Sequence, residues 1–330
     1  MSDLRQRIAD ILDLPDTPSW QIVDADQERG LYLVHYTPDA SMIRYGSLRG
    51  VVVDVNAKLI VARSYGYTPT VKESRIKIAE YDGHIHLNDA DNPNITYDLD
   101  PKLTSFTPGF DGVLVRVFMS HGHVYYSTHR SLDMSMLRWG DSSSFEEIFF
   151  NQLQGPHQED LFDISKKHSP WLYLFLVVAP DLQIASKTHV GNGFLVYLGV
   201  RQMWQPDQSP YRQEDVERDP PLFQPLPNSN SPYQPPDLDI DEINTFLSFG
   251  FHEKTTEETG LSSLSGDDDE RLLPGEFVIA HLYDNDGKMV GQLRVESPAY
   301  QWRASMRDNN PYPDHQFYSL SNGKFIQAQY

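Results

Sequence analysis

Apolar residues recur at helical spacing at Leu4, Ile8, Ile11 and Leu12, behind a Ser2 that can cap a helix, until Pro15 stops the pattern. The period then shortens. Leu31-Tyr-Leu-Val-His-Tyr-Thr37 reads as a strand, and Gly50-Val-Val-Val-Asp-Val55 turns through Asn56-Ala57 into Leu59-Ile-Val-Ala62. Hairpins are predicted for His84–Leu87 with Ile95–Tyr97, and for Gly112–Phe118 with Val124–Ser127 across Ser120-His-Gly-His123. Ser144-Phe-Glu-Glu147 has the form of a capping box and opens a helix through Ile148, Phe149 and Leu153. Tyr173-Leu-Phe-Leu-Val-Val178 is apolar without alternation, which predicts a strand covered on both faces. Phe194–Leu198 is expected to pair with Gln183-Ile-Ala185. A short helix over Ile240–Leu247 and a final hairpin, Phe277–Tyr283 with Met289–Val295, complete the pattern.

Hairpins interrupted by helices predict an α+β fold and exclude a doubly wound parallel sheet. Nine prolines between Pro206 and Pro236 mark an irregular excursion, and Asp267-Asp-Asp-Glu270 a solvated acidic loop. The expected division is a core over 1–204, an accessory Pro-rich and acidic insertion over 205–272, and a C-terminal hairpin over 273–330 that completes the core.

Composition narrows the function. The 330 residues are 39% hydrophobic and 12% aromatic, which is globular. Against 47 acidic residues stand 27 basic ones, a net charge of −20 that repels nucleic acid at long range. Nucleic-acid binding is therefore expected to be weak or absent. No apolar run is long enough to span a membrane, and the polar Met1-Ser-Asp-Leu-Arg start reads as no secretory leader, so an intracellular, cytoplasmic protein is expected. With no cysteine, disulfides, thiolate zinc sites and cysteine nucleophiles are excluded. His84-x-His86 and His121-x-His123 have a spacing that metal sites use, but neither has a third ligand close in sequence, and no metal is expected.

Several fragments fall in an order that resembles phage and viral RNA ligases of the tRNA-repair type, members of the covalent nucleotidyltransferase superfamily. Leu48-Arg-Gly-Val-Val-Val53 resembles their Arg-Gly strand, and Val61-Ala-Arg-Ser64 their Arg-Pro segment. Gly109-Phe-Asp-Gly-Val-Leu resembles the nucleophile motif Lys-x-Asp-Gly-Ser-Leu, and Ser127-Thr-His-Arg-Ser-Leu132 the motif that follows it. Leu174-Phe-Leu-Val-Val-Ala-Pro-Asp181 is similar to Phe-Glu-x-Val-x-Pro, and Leu198-Gly-Val-Arg201 to a leucine-rich strand ending in Arg. Gly275-Glu-Phe-Val278 is similar to Glu-Gly-Tyr-Val, and Arg294-Val-Glu-Ser-Pro-Ala-Tyr300 to Lys-x-Lys-Ser-x-x-Tyr. The resemblance spans roughly residues 30–305 and rests on the collinear order of the set.

It implies a nucleotidyltransferase core of antiparallel sheets with flanking helices, and a reaction in which a lysine takes AMP from ATP with Mg²⁺ and passes it to an RNA 5′-phosphate. The departures remove that chemistry. Gly109 stands at the nucleophile, Leu176 at a carboxylate, and Gly275 at another with Glu276 beside it. Of two phosphate-binding lysines one is Arg294 and the other Glu296, a reversed charge worth about 1 kcal/mol against a triphosphate even in water. Arg49, Gly50, Asp111, Gly112, Pro180 and Tyr300 are retained as scaffold. Arg49 reads more readily as an ion-pair partner than as a phosphate grip.

None of the ten lysines is an evident substitute, although Lys72 and Lys77 precede a second fragment, Glu80-Tyr-Asp-Gly83, and Lys187 follows the buried strand. The expectation is a catalytically inactive ligase-like protein with no catalytic residues and no cofactor. It would be a binding or structural component with a protein partner, for which Tyr211, Phe223 and Tyr233 offer contact material, and it would sit in a virion if viral. Two alternatives stand beside it. One is an active ATP- and Mg²⁺-dependent ligase with a relocated lysine. The other is a module that holds a nucleotide or RNA end noncovalently through Arg49, Arg63 and Arg294.

Overall fold

The computed structural model describes residues 2–15, 17–73, 75–90, 92, 94–138, 143–152, 162–178, 194–205, 207–218, 237–248, 277–298, 300–301 and 304. The expectations for 183–185, 267–270, Pro180, Asp181, Gly275 and Glu276 lie outside them. The fold is α+β, with mostly antiparallel sheets and few helices. It divides into two compact units, one drawn from Met1–Tyr67, Val113–Ala179 and Asn192–Gln234, the other from Thr68–Gly112, Pro180–Gly191 and Pro235–Tyr330.

The first unit is layered. Helix α1 (Ser2–Leu12) covers one face of a sheet of four strands: β1 (Trp20–Asp26), β2 (Leu31–Tyr36), β3 (Val51–Asp54) and β4 (Leu59–Ala62), in that order. Alternation splits these strands between two cores. Val34, Val51 and Val53 pack with Ile8 and Ala9 of α1. Leu31, Leu33 and Val52 face Phe118, Leu172 and Leu174. The latter belong to a second sheet, ordered β10-β9-β11-β12 from β9 (Val113–Ser120), β10 (His123–Ser127), β11 (Trp171–Val178) and β12 (Phe194–Gln202). On its far face Phe175 meets Phe149 of a helix spanning Phe145–Gln152, with ring centroids 5.5 Å apart. A single turn over Met42–Tyr45 is α2, so this helix is α3. Its capping box forms as read: the Ser144 amide donates to Glu147 Oε2 at 2.9 Å and the Glu147 amide to Ser144 Oγ at 3.2 Å. Strand β12 pairs with β11 along its whole length, a partner the sequence reading did not choose.

The second unit is a sheet ordered β5-β14-β13-β8, made of β5 (Thr70–Lys72), β8 (Thr104–Gly109), β13 (Phe277–Tyr283) and β14 (Met289–Glu296). The hairpin of β13 and β14 thus lies between two strands from the first third of the chain, antiparallel to β8 and parallel to β5. The hairpin of β6 (Ile85–Asn88) and β7 (Thr96–Leu99) and helix α4 (Ile240–Ser248) cover one face. Val278, Ala280, Leu293 and Val295 point into that core with Phe106, Ile243 and Leu247. Their neighbours Phe277, Ile279, Arg294 and Glu296 therefore stand on the opposite face. Among the described residues, no helix is long and apolar enough to cross a membrane.

Candidate functional site

The core-averse face of the second unit gathers five of the motif residues. Gly109 ends β8 directly opposite Phe277 on β13. A Cβ at Gly109 would lie 2.2 Å from two ring carbons of Phe277, a side chain that is itself 4% exposed. Any larger residue, lysine included, has to displace that ring. Asp111 follows, 3% exposed, and accepts a hydrogen bond of 2.6 Å from the Tyr300 hydroxyl. Tyr300 accepts in turn from Arg294 Nη2, also at 2.6 Å.

Arg294 is engaged by several neighbours while 27% of its side chain stays exposed. Its Nε forms a 2.6 Å ion-pair contact with Glu296 Oε1, its Nη2 lies 3.7 Å from Asp111 Oδ1, and its guanidinium sits 3.6 Å above the centre of the Phe277 ring. Burial pushes the Glu296 carboxyl above the usual carboxylate range, with Asp111 adding to the effect and Arg294 opposing it. Burial also pushes the Tyr300 hydroxyl up, which keeps it a neutral donor to Asp111. One arginine thus answers two carboxylates, and a triphosphate arriving here would meet a cation already engaged beside an excess of negative charge. Gly112, the next motif position, is half-buried and precedes β9.

The remaining positions fall in the first unit. Leu176 is half-buried on β11, where its direct partners are Leu114 on β9 and Val196 on β12. A cross-strand row of three aliphatic side chains offers no oxygen to a hard cation such as Mg²⁺. Arg49 caps the short turn before β3, and Arg63 follows β4, both half-buried. Burial holds Arg63 below the usual arginine range, and its Nε has no hydrogen-bond partner among the described residues. Arg49 and Arg63 belong to the first unit and Arg294 to the second, where it is bound by its own neighbours. The three arginines do not form one cluster within either unit.

Seven lysines are described. Lys58, Lys72, Lys77, Lys102, Lys167 and Lys288 are exposed and Lys166 is half-buried, donating to the Glu214 carbonyl at 2.7 Å. Lys72 has one notable position, opposite Glu296 in the β5–β14 pairing.

Two further constellations were legible only as histidine pairs, and the fold supplies their carboxylates. Asp54, fully buried, accepts from the amides of Asn56 at 2.8 Å and Ala57 at 2.9 Å through one oxygen. The other oxygen bonds His121 Nε2 at 2.8 Å and receives the Tyr211 hydroxyl. Tyr211 stacks on His168 with centroids 3.4 Å apart, and burial lowers His168 to a pKa of about 4. Tyr211, expected as surface material for a partner, instead fastens the start of the Pro-rich stretch to the first unit; Phe223 and Tyr233 lie outside the described residues.

The second constellation pairs His84 with Asp98 at 2.7 Å and His86 with Asp82 at 2.8 Å. Asp98 lies across the β6–β7 hairpin from His84, and Asp82 lies in its entry turn, four residues before His86. Among the described residues, no group of three or more such side chains is placed to hold a metal ion.

No protein-family model matches the sequence, and no curated protein matches it.

Proposed function

We propose that the chain is a catalytically inactive relative of RNA ligases, built on a nucleotidyltransferase-like core, that works as a binding or structural component. The observation that carries this reading is the closed set Asp111–Tyr300–Arg294–Glu296, together with the Phe277 ring against Gly109. Adenylylation needs a free amine, open cations for the phosphates and carboxylates free to hold a metal. Here the amine position is filled by a neighbouring ring, the cation is neutralised, and a second carboxylate position is an aliphatic row. The net charge of −20 favours a protein partner over RNA.

One observation favours an active enzyme instead, with ATP and Mg²⁺ as its cofactors: Lys72 opposite Glu296. Incubation of the full chain with ATP labelled at the α-phosphate and Mg²⁺ separates the two. The inactive reading expects no acid-stable AMP adduct. An adduct that disappears in Lys72→Ala establishes the relocated nucleophile.

A further inference from the structure

Residues 167 and 168 of the first unit are gripped by two separate stretches of chain. One is the β9–β10 turn, where His121 (φ +52°) and Gly122 (φ +71°) both take left-handed backbone, as a two-residue hairpin turn of this kind requires. Its two amides reach the segment: Gly122 donates to the Lys167 carbonyl at 2.6 Å, and His121 donates to His168 Nδ1 at 3.2 Å. The other is a strap over 207–218. The Lys167 and His168 amides both donate to the Asp215 carbonyl at 3.0 Å, and the Glu217 amide donates back to the His168 carbonyl at 3.0 Å. Side chains fasten the same strap. The Tyr211 ring stacks on the His168 ring with 3.4 Å between centroids and 13° between planes, and its hydroxyl donates to Asp54. Lys166 Nζ donates to the Glu214 carbonyl.

His168 is the residue common to both grips, and it is buried. Its Nδ1 accepts an amide N–H, so that nitrogen carries no proton while the contact stands. A proton there would set two donors against each other and place a charge inside a buried ring stack. The groups that face the ring divide. Burial, then His121 and Lys167, oppose its charging, while Asp54 and Asp215 favour it; burial is the largest influence and lowers the ring to about 4. His121 is no equivalent switch, because its Nε2 donates to Asp54 Oδ2 in both its neutral and its charged form. Glu217, on the strap itself, works the other way. Its carboxylate accepts from the Asp163 amide at 3.4 Å and burial raises it, so acid favours the closed strap at that residue.

We propose that His168 is a proton-sensitive latch for the strap over 207–218, holding it only while Nδ1 is unprotonated. Uptake of a proton breaks the His121 amide contact and displaces the ring, and a displaced ring loses its stack with Tyr211. Tyr211 also carries the bond to Asp54, so a single proton loosens two of the strap's side-chain attachments. The sign follows from which state takes the proton. The closed strap keeps the ring below its ordinary 6.5 and the open strap restores it, so the latch is fully engaged above pH 6.5 and weakens as the pH falls toward 4. Release frees the Asp54 oxygen that Tyr211 occupies, beside His121. None of these residues belongs to the closed set around Arg294, so an AMP adduct would overturn the inactive reading without touching the latch, and failure of the latch would leave that reading intact.

Amide hydrogen exchange of the full chain, corrected for the intrinsic rate at each pH, tests it. The Glu217 and Lys167 amides bond across to the strap or from it and report its opening, while Leu174 in the central strand β11 reports unfolding of the unit. Because the Glu217 carboxyl opposes the effect, wild type is compared with His168→Gln, in which that contribution cancels. From pH 8 to pH 5 the protection of both strap amides in wild type is expected to fall about 30-fold relative to the variant, the ratio that values of about 4 closed and 6.5 open give. Tyr211→Phe is expected to lower their protection about tenfold at both pH values while the pH response stays. In wild type the strap amides should exchange at least about tenfold faster than Leu174. A ratio to His168→Gln that stays within about twofold, protection unmoved by Tyr211→Phe, or strap amides that exchange at the rate of Leu174 overturns the proposal.

Discussion

At the scale of single residues, Gly109 carries most of the functional reading, and for two reasons of different origin. That position 109 carries no amine is visible in the chain. The ring that packs where its Cβ would stand is visible only in the pairing of Gly109 with Phe277. A lysine there has to displace that ring, and on the proposed reading Gly109→Lys is expected to form no AMP adduct with labelled ATP. The smaller change Gly109→Ala should lower stability by about 1–3 kcal/mol, read by denaturant unfolding, as the Cβ forces Phe277 from its packed position.

His168 makes a second residue-level prediction. Its native pKa of about 4 lies below the ordinary 6.5, so between these values the unfolded chain binds a proton that the native protein does not. Stability contributed by the neutral ring is intact above pH 6.5 and is lost as the pH falls toward 4. The loss is on the order of 2 kcal/mol, and His168→Gln should flatten that part of the pH–stability curve.

At the scale of elements, local chemistry and tertiary context divide the work unevenly. The Ser144–Glu147 capping box was legible because all its partners lie within one turn, and Ser144→Ala should cost about 1 kcal/mol by thermal or denaturant unfolding. The hairpins β3–β4, β9–β10 and β13–β14 were legible for the same reason, their registers being set by short turns, and β6–β7 was legible across a longer connection. Strands β1, β5 and β8 were not. Trp20–Asp26 alternates imperfectly, Thr70–Lys72 is three residues long, and β8 ends in Pro108-Gly109. Proline in a strand argues against a central position, and β8 is indeed an edge of its sheet. The tether of Tyr211 was hidden in another way, because its partner Asp54 lies 157 residues away. Tyr211→Phe leaves Asp54 with His121 and two amides, and should cost about 1–2 kcal/mol.

For the molecule as a whole, the charge of −20 sets the response to solvent. Self-repulsion among 47 carboxylates opposes the compact state and is screened by salt, so the melting temperature should rise by a few degrees between about 20 mM and about 300 mM NaCl. A melting temperature that falls over that range would mean that specific ion pairs outweigh the repulsion.

The chain by itself determined the α+β class, most hairpins, the absence of cysteine chemistry and the absence of any side chain at position 109. These depend on periodicity, short turns and residue identity, all of which are local. Only the tertiary structure decided that Arg294 is spent on Glu296 and Tyr300, that Tyr211 is an anchor, and that Arg116 is fully buried and strapped to two backbone carbonyls. Each of those is a fact about charge and burial, and a side chain's charge has meaning for function only once the fold has chosen what surrounds it.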